Sequence, residues 1–250
     1  MTGRALAIAG AAIAAIGIGL GLRRGLRTLD EADADTADLT DESFTFPSGQ
    51  RIAVTTSDGG TIVTETAGAG AVTVLVHGLT SSRQDLGPVA RQLVDRGRTV
   101  VGVDQRGHGD STPGSAGYSP ARLGADLADV LTALDLRDVV LVGHSMGGIA
   151  AMTFAIEHPQ ICTERVSHLV LVATTPRAPR FFRKPRPRLI ERSLGRADVD
   201  AAVLRPGTAL ALFGRFGSTR LVRAALASGQ RAHPTEVASC AAGLIGYDLT

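Results

Sequence analysis

The sequence predicts an α/β fold with a doubly wound, mostly parallel sheet that is preceded by an antiparallel hairpin. Two short alternating segments, residues 51–56 and 61–66, flank a Ser-Asp-Gly-Gly turn, as in a hairpin. Four nearly continuous apolar runs follow, at residues 72–76, 99–103, 139–142 and 169–172. Helical patterns separate them, at residues 82–96, 120–134 and 146–158. Apolar strands that alternate with helices are typical of a parallel sheet covered on both faces.

The first 29 residues predict an N-terminal membrane anchor or a signal-like segment. Residues 5–22 contain only Ala, Ile, Leu and Gly, and arginines stand on both sides of them. A helix of this length spans roughly 27 Å, which matches the core of a bilayer. This pattern favours a single-pass anchor through residues 5–22 that holds the protein at the cell membrane. A cleaved signal peptide, and therefore secretion, is the alternative.

Residues 30–43 predict an acidic, disordered linker. Aspartate and glutamate alternate there with Ala and Thr, and the segment contains almost nothing that a core could bury. The folded part is therefore expected to begin near residue 44, with its core over residues 44–173. A chain of 250 residues is long enough for about one α/β domain with an insertion.

The stretch between the third apolar run and the helix after it carries a reactive group. It reads Gly-His-Ser-Met-Gly-Gly over residues 143–148, with Ser145 at the apex of a sharp strand-to-helix turn. Glycines at 143 and 147 fit such a turn, because side chains there would collide with neighbouring strands. The following helix points its N-terminus at any negative charge that develops beside the serine. Ser145 is therefore the candidate nucleophile.

Two further loops follow the earlier parallel strands, His-Gly-Leu-Thr at 77–80 and Asp-Gln-Arg-Gly-His-Gly-Asp-Ser at 104–111. Ligands bind beyond the carboxyl ends of such strands. Together with the turn around Ser145, these loops resemble the α/β-hydrolase family. The resemblance implies that the backbone N–H groups of Leu79 and Met146 form an oxyanion hole. It also implies that the loop at 104–111, with His108 and Asp110, is mainly structural.

The same resemblance implies that residues 174–250 form a helical lid, and helical patterns occur there at residues 201–212, 218–227 and 234–244. In this family the acid and the histidine of the triad follow the serine in the chain. His158 and His168 are expected to lie roughly 20 Å and 13 Å from the reactive end of the sheet. Distance does not exclude His233, which precedes Pro234 in the lid, but the family does not take its base from there. The chain is therefore predicted to lack the last strands of the sheet, together with the triad histidine and acid.

Composition argues against several other classes of protein. The formal net charge is +2, tryptophan is absent and aromatic residues make up 4% of the chain, so no nucleic-acid partner is expected. Cys162 and Cys240 do not have the spacing of metal ligands and are expected to be small buried hydrophobes. We expect neither a metal nor another cofactor.

These patterns predict a serine hydrolase that cleaves carboxylic esters, of small molecules or of lipids, through an acyl-enzyme on Ser145. A serine at the apex argues against dehalogenases and epoxide hydrolases of the family, which use aspartate there. A perhydrolase or haloperoxidase-like enzyme shares the serine and stays open. The alternative from another class is a catalytically incomplete fragment or a binding protein.

Overall fold

Six strands form one mixed sheet in the computed structural model, which describes residues 42, 45–178 and 234–250. They are β1 (Gln50–Thr55), β2 (Thr61–Ala67), β3 (Val72–Val76), β4 (Thr99–Val103), β5 (Val139–His144) and β6 (Val166–Val172). Their order across the sheet is β1-β2-β4-β3-β5-β6. The hairpin β1–β2 is antiparallel, β2 joins β4 antiparallel, and β4, β3, β5 and β6 run parallel. The predicted fold class is confirmed.

Five helices and one short 3₁₀ turn occur in the described residues. The helices are α1 (Gly87–Asp95), α2 (Pro120–Ala133), α3 (Met146–Glu157), α4 (Pro159–Arg165) and α5 (Pro234–Gly243). The predicted helix over 82–96 is wrong in its first turn, where Arg83–Leu86 forms the 3₁₀ turn. Pro88 explains the difference, because proline fits only the first turn of an α-helix and so fixes the start of α1 beside it. Helix α4 has no counterpart in the sequence prediction.

The helices cover both faces of the parallel strands. On one face Val74 and Val76 of β3 pack with apolar residues of α2 and α3, such as Leu127 and Phe154. On the other face Leu75 of β3 packs with residues that include Ala90 of α1. Successive residues of one strand therefore enter two separate cores, which is why the strands read as continuous apolar runs.

The parallel register brings three strand ends to one edge of the sheet. Val76 of β3 lies opposite Val103 of β4 and Gly143 of β5, and His144 of β5 lies opposite Val172 of β6. The residues that follow β3, β4 and β5 therefore meet at this edge, as the sequence predicts. These are the loops at 77–80 and 104–111 and the turn at Ser145.

Strand β6 forms one margin of the described sheet. It pairs with β5, and no other described strand pairs with its outer side. Four consecutive apolar residues on it, Leu169, Val170, Leu171 and Val172, are between 37% and 43% exposed. An apolar strand with a free edge is a site at which further strands add.

The chain that follows β6 is joined to the C-terminal residues. An antiparallel bridge links Arg177 to Asp248, and the two side chains form an ion pair at 2.8 Å. Helix α5 confirms the predicted helix over 234–244, and both Cys240 of this helix and Leu244, which follows it, belong to the main core. Cys240 is fully buried as predicted, whereas Cys162 is half-buried against the same core.

Several predicted segments lie outside the described residues. These are the anchor at 5–22, the acidic linker except Glu42, and the helices at 201–212 and 218–227. In the parts of the chain that the structure does describe, every helix is too short or too polar to cross a bilayer.

Candidate active site

Ser145 occupies a strained turn between β5 and α3. Its φ and ψ are 51° and −114°, values that residues with a side chain rarely adopt. The glycines on both sides make the turn possible, because the chain segments almost touch. A Cβ on Gly143 would lie 2.5 Å from the carbonyl oxygen of Gly147, and one on Gly147 would lie 2.3 Å from that of Val76. The turn therefore requires glycine at both positions, as the sequence analysis expects.

Two backbone N–H groups face no acceptor at this edge of the sheet. Met146 is the first residue of α3, and Leu79 lies in the loop after β3. Among the described residues, neither N–H donates a hydrogen bond. Gly78 holds this loop against the turn, since a Cβ there would lie 3.2 Å from Cβ of Ser145. Two unused donors beside a serine are what an oxyanion requires.

His77 fastens the loop after β3 to the loop after β4. Its Nδ1 lies 2.7 Å from the carbonyl oxygen of Gly78, and its Nε2 accepts from the backbone N–H of Gln105 at 2.9 Å. This pairing defines a neutral ring with the proton on Nδ1. Burial, and next the charge that His108 could carry, lower the pKa of His77 to about 3. Both ring nitrogens are occupied, so His77 is not available as a general base.

His108 holds the same loops in the same way. Its Nε2 accepts from the backbone N–H of Thr80 at 3.3 Å, and its Nδ1 lies 3.0 Å from the carbonyl oxygen of Arg106. Thr80 has a φ of 63°, so this bond holds a residue in the left-handed region. Burial lowers the pKa of the His108 ring. His108 therefore has the structural role that the sequence analysis assigns to it.

The buried state of His77 predicts an acid-sensitive fold. An unfolded histidine takes up a proton near pH 6.5, whereas the folded ring does so only near pH 3. Between these values the unfolded chain binds one more proton, so the free energy of unfolding falls as the pH falls. We expect the loss between pH 7 and pH 5 to be about 2 kcal/mol smaller in His77→Gln than in the wild type. Urea denaturation at both pH values measures it, and equal losses would contradict the assignment.

Two histidines that follow Ser145, His158 and His168, lie where the sequence analysis expects them. His158 caps the far end of α3 and stacks on Phe154. His168 pairs with Val140, four positions before the end of β5. His233 lies outside the described residues. The absence of a triad histidine and acid from this chain stays a prediction.

His144 is a neighbour of Ser145 that the sequence analysis does not weigh. A Cβ on Gly78 would lie 3.2 Å from Nδ1 of His144 and 3.2 Å from Cβ of Ser145, so these two atoms are at most twice that distance apart. The residue is exposed. Partial burial of its ring lowers the pKa of His144, and the carboxylate of Asp85 opposes this effect. Its position directly before the nucleophile is the only sequence signal that marks it.

A buried network of ion pairs connects the 3₁₀ turn that contains Arg83 to the loop at 104–111. Arg83 is 3% exposed and pairs with Glu65 at 2.8 Å, with Asp110 at 3.0 Å and with Asp104. Asp104 also accepts from the backbone N–H of Asp110 at 3.0 Å. Burial raises the pKa of Asp104, and its bonds with Arg83 oppose this effect. All of these carboxylates have arginine partners, and the described chain contains no group of three or more residues that could hold a metal.

Helix α5 forms one wall beside the turn. Sγ of Cys240 lies 3.3 Å from Sδ of Met146, and Glu236 accepts a hydrogen bond from the hydroxyl of Tyr118. Burial, and next this hydrogen bond, raise the pKa of Tyr118. The C-terminal part of the chain therefore contacts Met146, the residue that follows the candidate nucleophile.

A family model of the alpha/beta hydrolase fold matches residues 72–236. The similar proteins include an sn-1-specific diacylglycerol lipase, ABHD11, of Mus musculus, which is 42% identical over 104 residues, covering 41% of this chain and 32% of the lipase. The non-heme chloroperoxidase CPO-A1 of Kitasatospora aureofaciens is 38% identical over 122 residues, covering 49% of this chain and 43% of the peroxidase. The matched region spans less than half the length of these relatives.

Solved structures are similar over a larger part of the chain. An esterase (EaEST) from Exiguobacterium antarcticum aligns with a TM-score of 0.67 and 22% identity, covering 80% of this chain and 75% of that one. At this level of identity the likeness concerns the fold.

Proposed function

Because the chain belongs to the α/β-hydrolase fold family, we propose that it is a serine hydrolase that cleaves carboxylic esters through an acyl-enzyme on Ser145. The observation that carries the proposal is the placement of Ser145 beside two N–H donors that have no acceptor, those of Leu79 and Met146. The serine lies at the N-terminus of α3, where partial positive charge stabilises a developing oxyanion.

In the proposed reaction Oγ of Ser145 attacks the ester carbonyl carbon as its proton passes to a base. The carbonyl oxygen becomes an oxyanion that accepts from the N–H groups of Leu79 and Met146. Collapse of this intermediate expels the alcohol, which takes up the proton, and leaves the acyl group on Ser145. Water then hydrolyses the acyl-enzyme. Neither His77 nor His108 is this base, since both ring nitrogens of each are occupied.

The proposed substrates are carboxylic esters of small molecules or of lipids. The lipase relative supports a lipid ester. Helix α5 supplies an apolar wall at the site, because Val237, Cys240 and Ala241 are buried on it. The segments at 201–212 and 218–227, which we expect to line the acyl pocket, lie outside the described residues.

A second candidate is perhydrolysis, which the similarity to the chloroperoxidase favours. There the same acyl-enzyme reacts with hydrogen peroxide instead of water, giving a peracid and free Ser145. Both candidates require the same nucleophile and the same oxyanion donors.

A fluorophosphonate probe and a set of p-nitrophenyl esters test the proposal. Where a base activates Ser145, we expect a phosphonate adduct on Ser145, located by peptide mass spectrometry, and nitrophenol release that the probe blocks. Addition of hydrogen peroxide distinguishes the candidates, because only perhydrolysis produces peracid. A folded chain that neither reacts with the probe nor hydrolyses any ester would support the alternative of an incomplete fragment or a binding protein.

We further propose that residues 5–22 anchor the protein in the cell membrane. The proposal rests on the apolar composition of this run and on its flanking arginines. The full chain is expected to remain with membranes after an alkaline carbonate wash, whereas a chain without residues 1–29 is expected to be released. Recovery of the full chain in the supernatant would exclude the anchor, and loss of residues 1–29 during secretion would support the signal peptide.

A further inference from the structure

The backbone of Ser145 is tied to the end of β6 as well as to its own helix. Its N–H donates to the carbonyl of Val172 at 2.9 Å, and the hydroxyl of Thr174 donates to its carbonyl at 2.8 Å. The same carbonyl accepts from the N–H groups of Gly148 and Ile149, at 2.9 Å and 3.2 Å. Since the helix already satisfies this carbonyl, the Thr174 hydroxyl is not needed to satisfy it and instead fixes its direction.

Gly148 allows Thr174 to come this close. A Cβ on Gly148 would lie 2.5 Å from Cγ2 and 2.6 Å from Cβ of Thr174, so any larger residue would push the threonine away. Gly148 lies in α3 and is not among the glycines with a positive φ. Its conformation therefore does not require glycine, whereas the approach of Thr174 does. This accounts for the last glycine of the motif at 143–148, which the turn itself leaves unexplained.

The backbone before Thr174 is also in an unusual conformation. Ala173 has a φ of 47°, in the left-handed region that favours glycine. Such a residue persists where surrounding contacts hold it, and the bond between Thr174 and Ser145 is one such contact. On the far side, the hydroxyl of Tyr247 donates to the carbonyl of Thr175 at 2.9 Å. The segment after β6 is thus held from both directions against the turn.

We propose that Thr174 is a positioning residue for the nucleophile. Its hydroxyl holds the peptide group between Ser145 and Met146, and so opposes the rotation by which the strained φ of Ser145 would relax. That rotation would move the serine side chain away from the N-terminus of α3 and would turn the N–H of Met146. The inference rests on the proposed function, because the direction of this side chain matters for catalysis only if Ser145 reacts.

A thiol at position 145 tests the inference without any general base. Thiols ionise unaided, and a helix N-terminus lowers their pKa below about 8.5. The full chain carrying Ser145→Cys is compared with the same chain carrying also Thr174→Val or Thr174→Ser. Thr174→Val keeps the size of the side chain and removes the hydroxyl, while Thr174→Ser keeps the hydroxyl. Iodoacetamide alkylation is followed as a function of pH by peptide mass spectrometry, which separates position 145 from Cys162 and Cys240.

We expect Thr174→Val to raise the pKa of the thiol at 145 and to slow its alkylation at pH 7 by about threefold or more. Thr174→Ser is expected to keep the parent pKa and rate. Gly148→Ala, which displaces Thr174 from the other side, is expected to have the same effect as Thr174→Val. It replaces Thr174→Val in the comparison if Thr174→Val does not fold. Thermal melting shows that each variant is folded at the assay temperature, and loss of stability alone would not move the pKa.

An unchanged thiol pKa in both Thr174→Val and Gly148→Ala would overturn the inference. So would a Thr174→Ser variant that behaves like Thr174→Val. Failure of the proposed function gives a different result. It would leave native Ser145 without a fluorophosphonate adduct, while the thiol experiment would still measure how Thr174 positions the side chain at 145.

Discussion

Replacing Arg106 with methionine is expected to lower the free energy of unfolding by about 3–5 kcal/mol. Arg106 is fully buried and uses all five of its N–H donors. Two go to Asp126, at 2.6 Å and 2.7 Å, two go to Asp58, both at 3.1 Å, and one goes to the carbonyl of Gly117 at 2.7 Å. Burial alone would lower the pKa of Arg106, but its bonds with Asp126 and Asp58 raise it above the ordinary value. The substitution would remove the ion pairs of Arg106 with two largely buried carboxylates, of which Asp126 would keep only its ion pair with Arg122 at 3.2 Å.

Urea denaturation with a matched surface control measures this effect. Arg137 pairs with Asp135, but their side chains are 59% and 70% exposed. Arg137→Met is therefore expected to change the free energy of unfolding by less than about 1 kcal/mol. The double variant Arg106→Met/Asp126→Leu should recover part of the loss, because it removes one of the two buried charges that lose their bonds with Arg106. A midpoint for Arg106→Met equal to that of Arg137→Met would contradict the assigned role.

The strands and the turn at Ser145 could be predicted because their signals are local. Consecutive apolar residues indicate a buried strand, and two glycines that flank a serine indicate the turn. Arg106 also belongs to a recognisable loop, but its partners do not follow from it. Asp58 lies in the hairpin turn and Asp126 lies on α2, and neither has a fixed spacing from the arginine that a pattern could detect. Such pairs become visible only when the chain is folded.

The site shows the same division between local and distant contacts. The placement of Leu79 and Met146 beside Ser145 follows from the parallel register of β3 and β5, which the sequence predicts. The contact of Thr174 with Ser145 does not follow from a register that the sequence predicts, because it joins residues that are 29 positions apart. The sequence also does not predict the 3₁₀ turn before α1. The helical pattern of residues 82–96 continues through Pro88, but the hydrogen bonds of an α-helix do not continue through a proline.

Where a general base completes the site, replacing Ser145 with alanine is expected to reduce the rate of ester cleavage by about 10⁴-fold or more. The substitution removes the atom that forms the acyl-enzyme and leaves the N–H groups of Leu79 and Met146 in place. Any rate of ester cleavage that remains above the uncatalysed rate is then due to the oxyanion donors alone. Nitrophenol release and fluorophosphonate labelling measure the loss, and Ser48→Ala, at an exposed serine before β1, is the control that should keep wild-type activity.

Stability separates a catalytic role of Ser145 from a structural one. The serine has a φ of 51°, a conformation that costs a residue with a Cβ about 1–3 kcal/mol and that glycine adopts readily. Ser145→Gly is therefore expected to be as inactive as Ser145→Ala but more stable than it by about 1 kcal/mol, as measured by urea denaturation. If both variants instead unfolded more easily than the wild type and kept part of its activity in proportion to the folded fraction, Ser145 would be a structural residue and not the nucleophile. A strained residue whose removal stabilises the fold and abolishes the reaction is held in place for its chemistry.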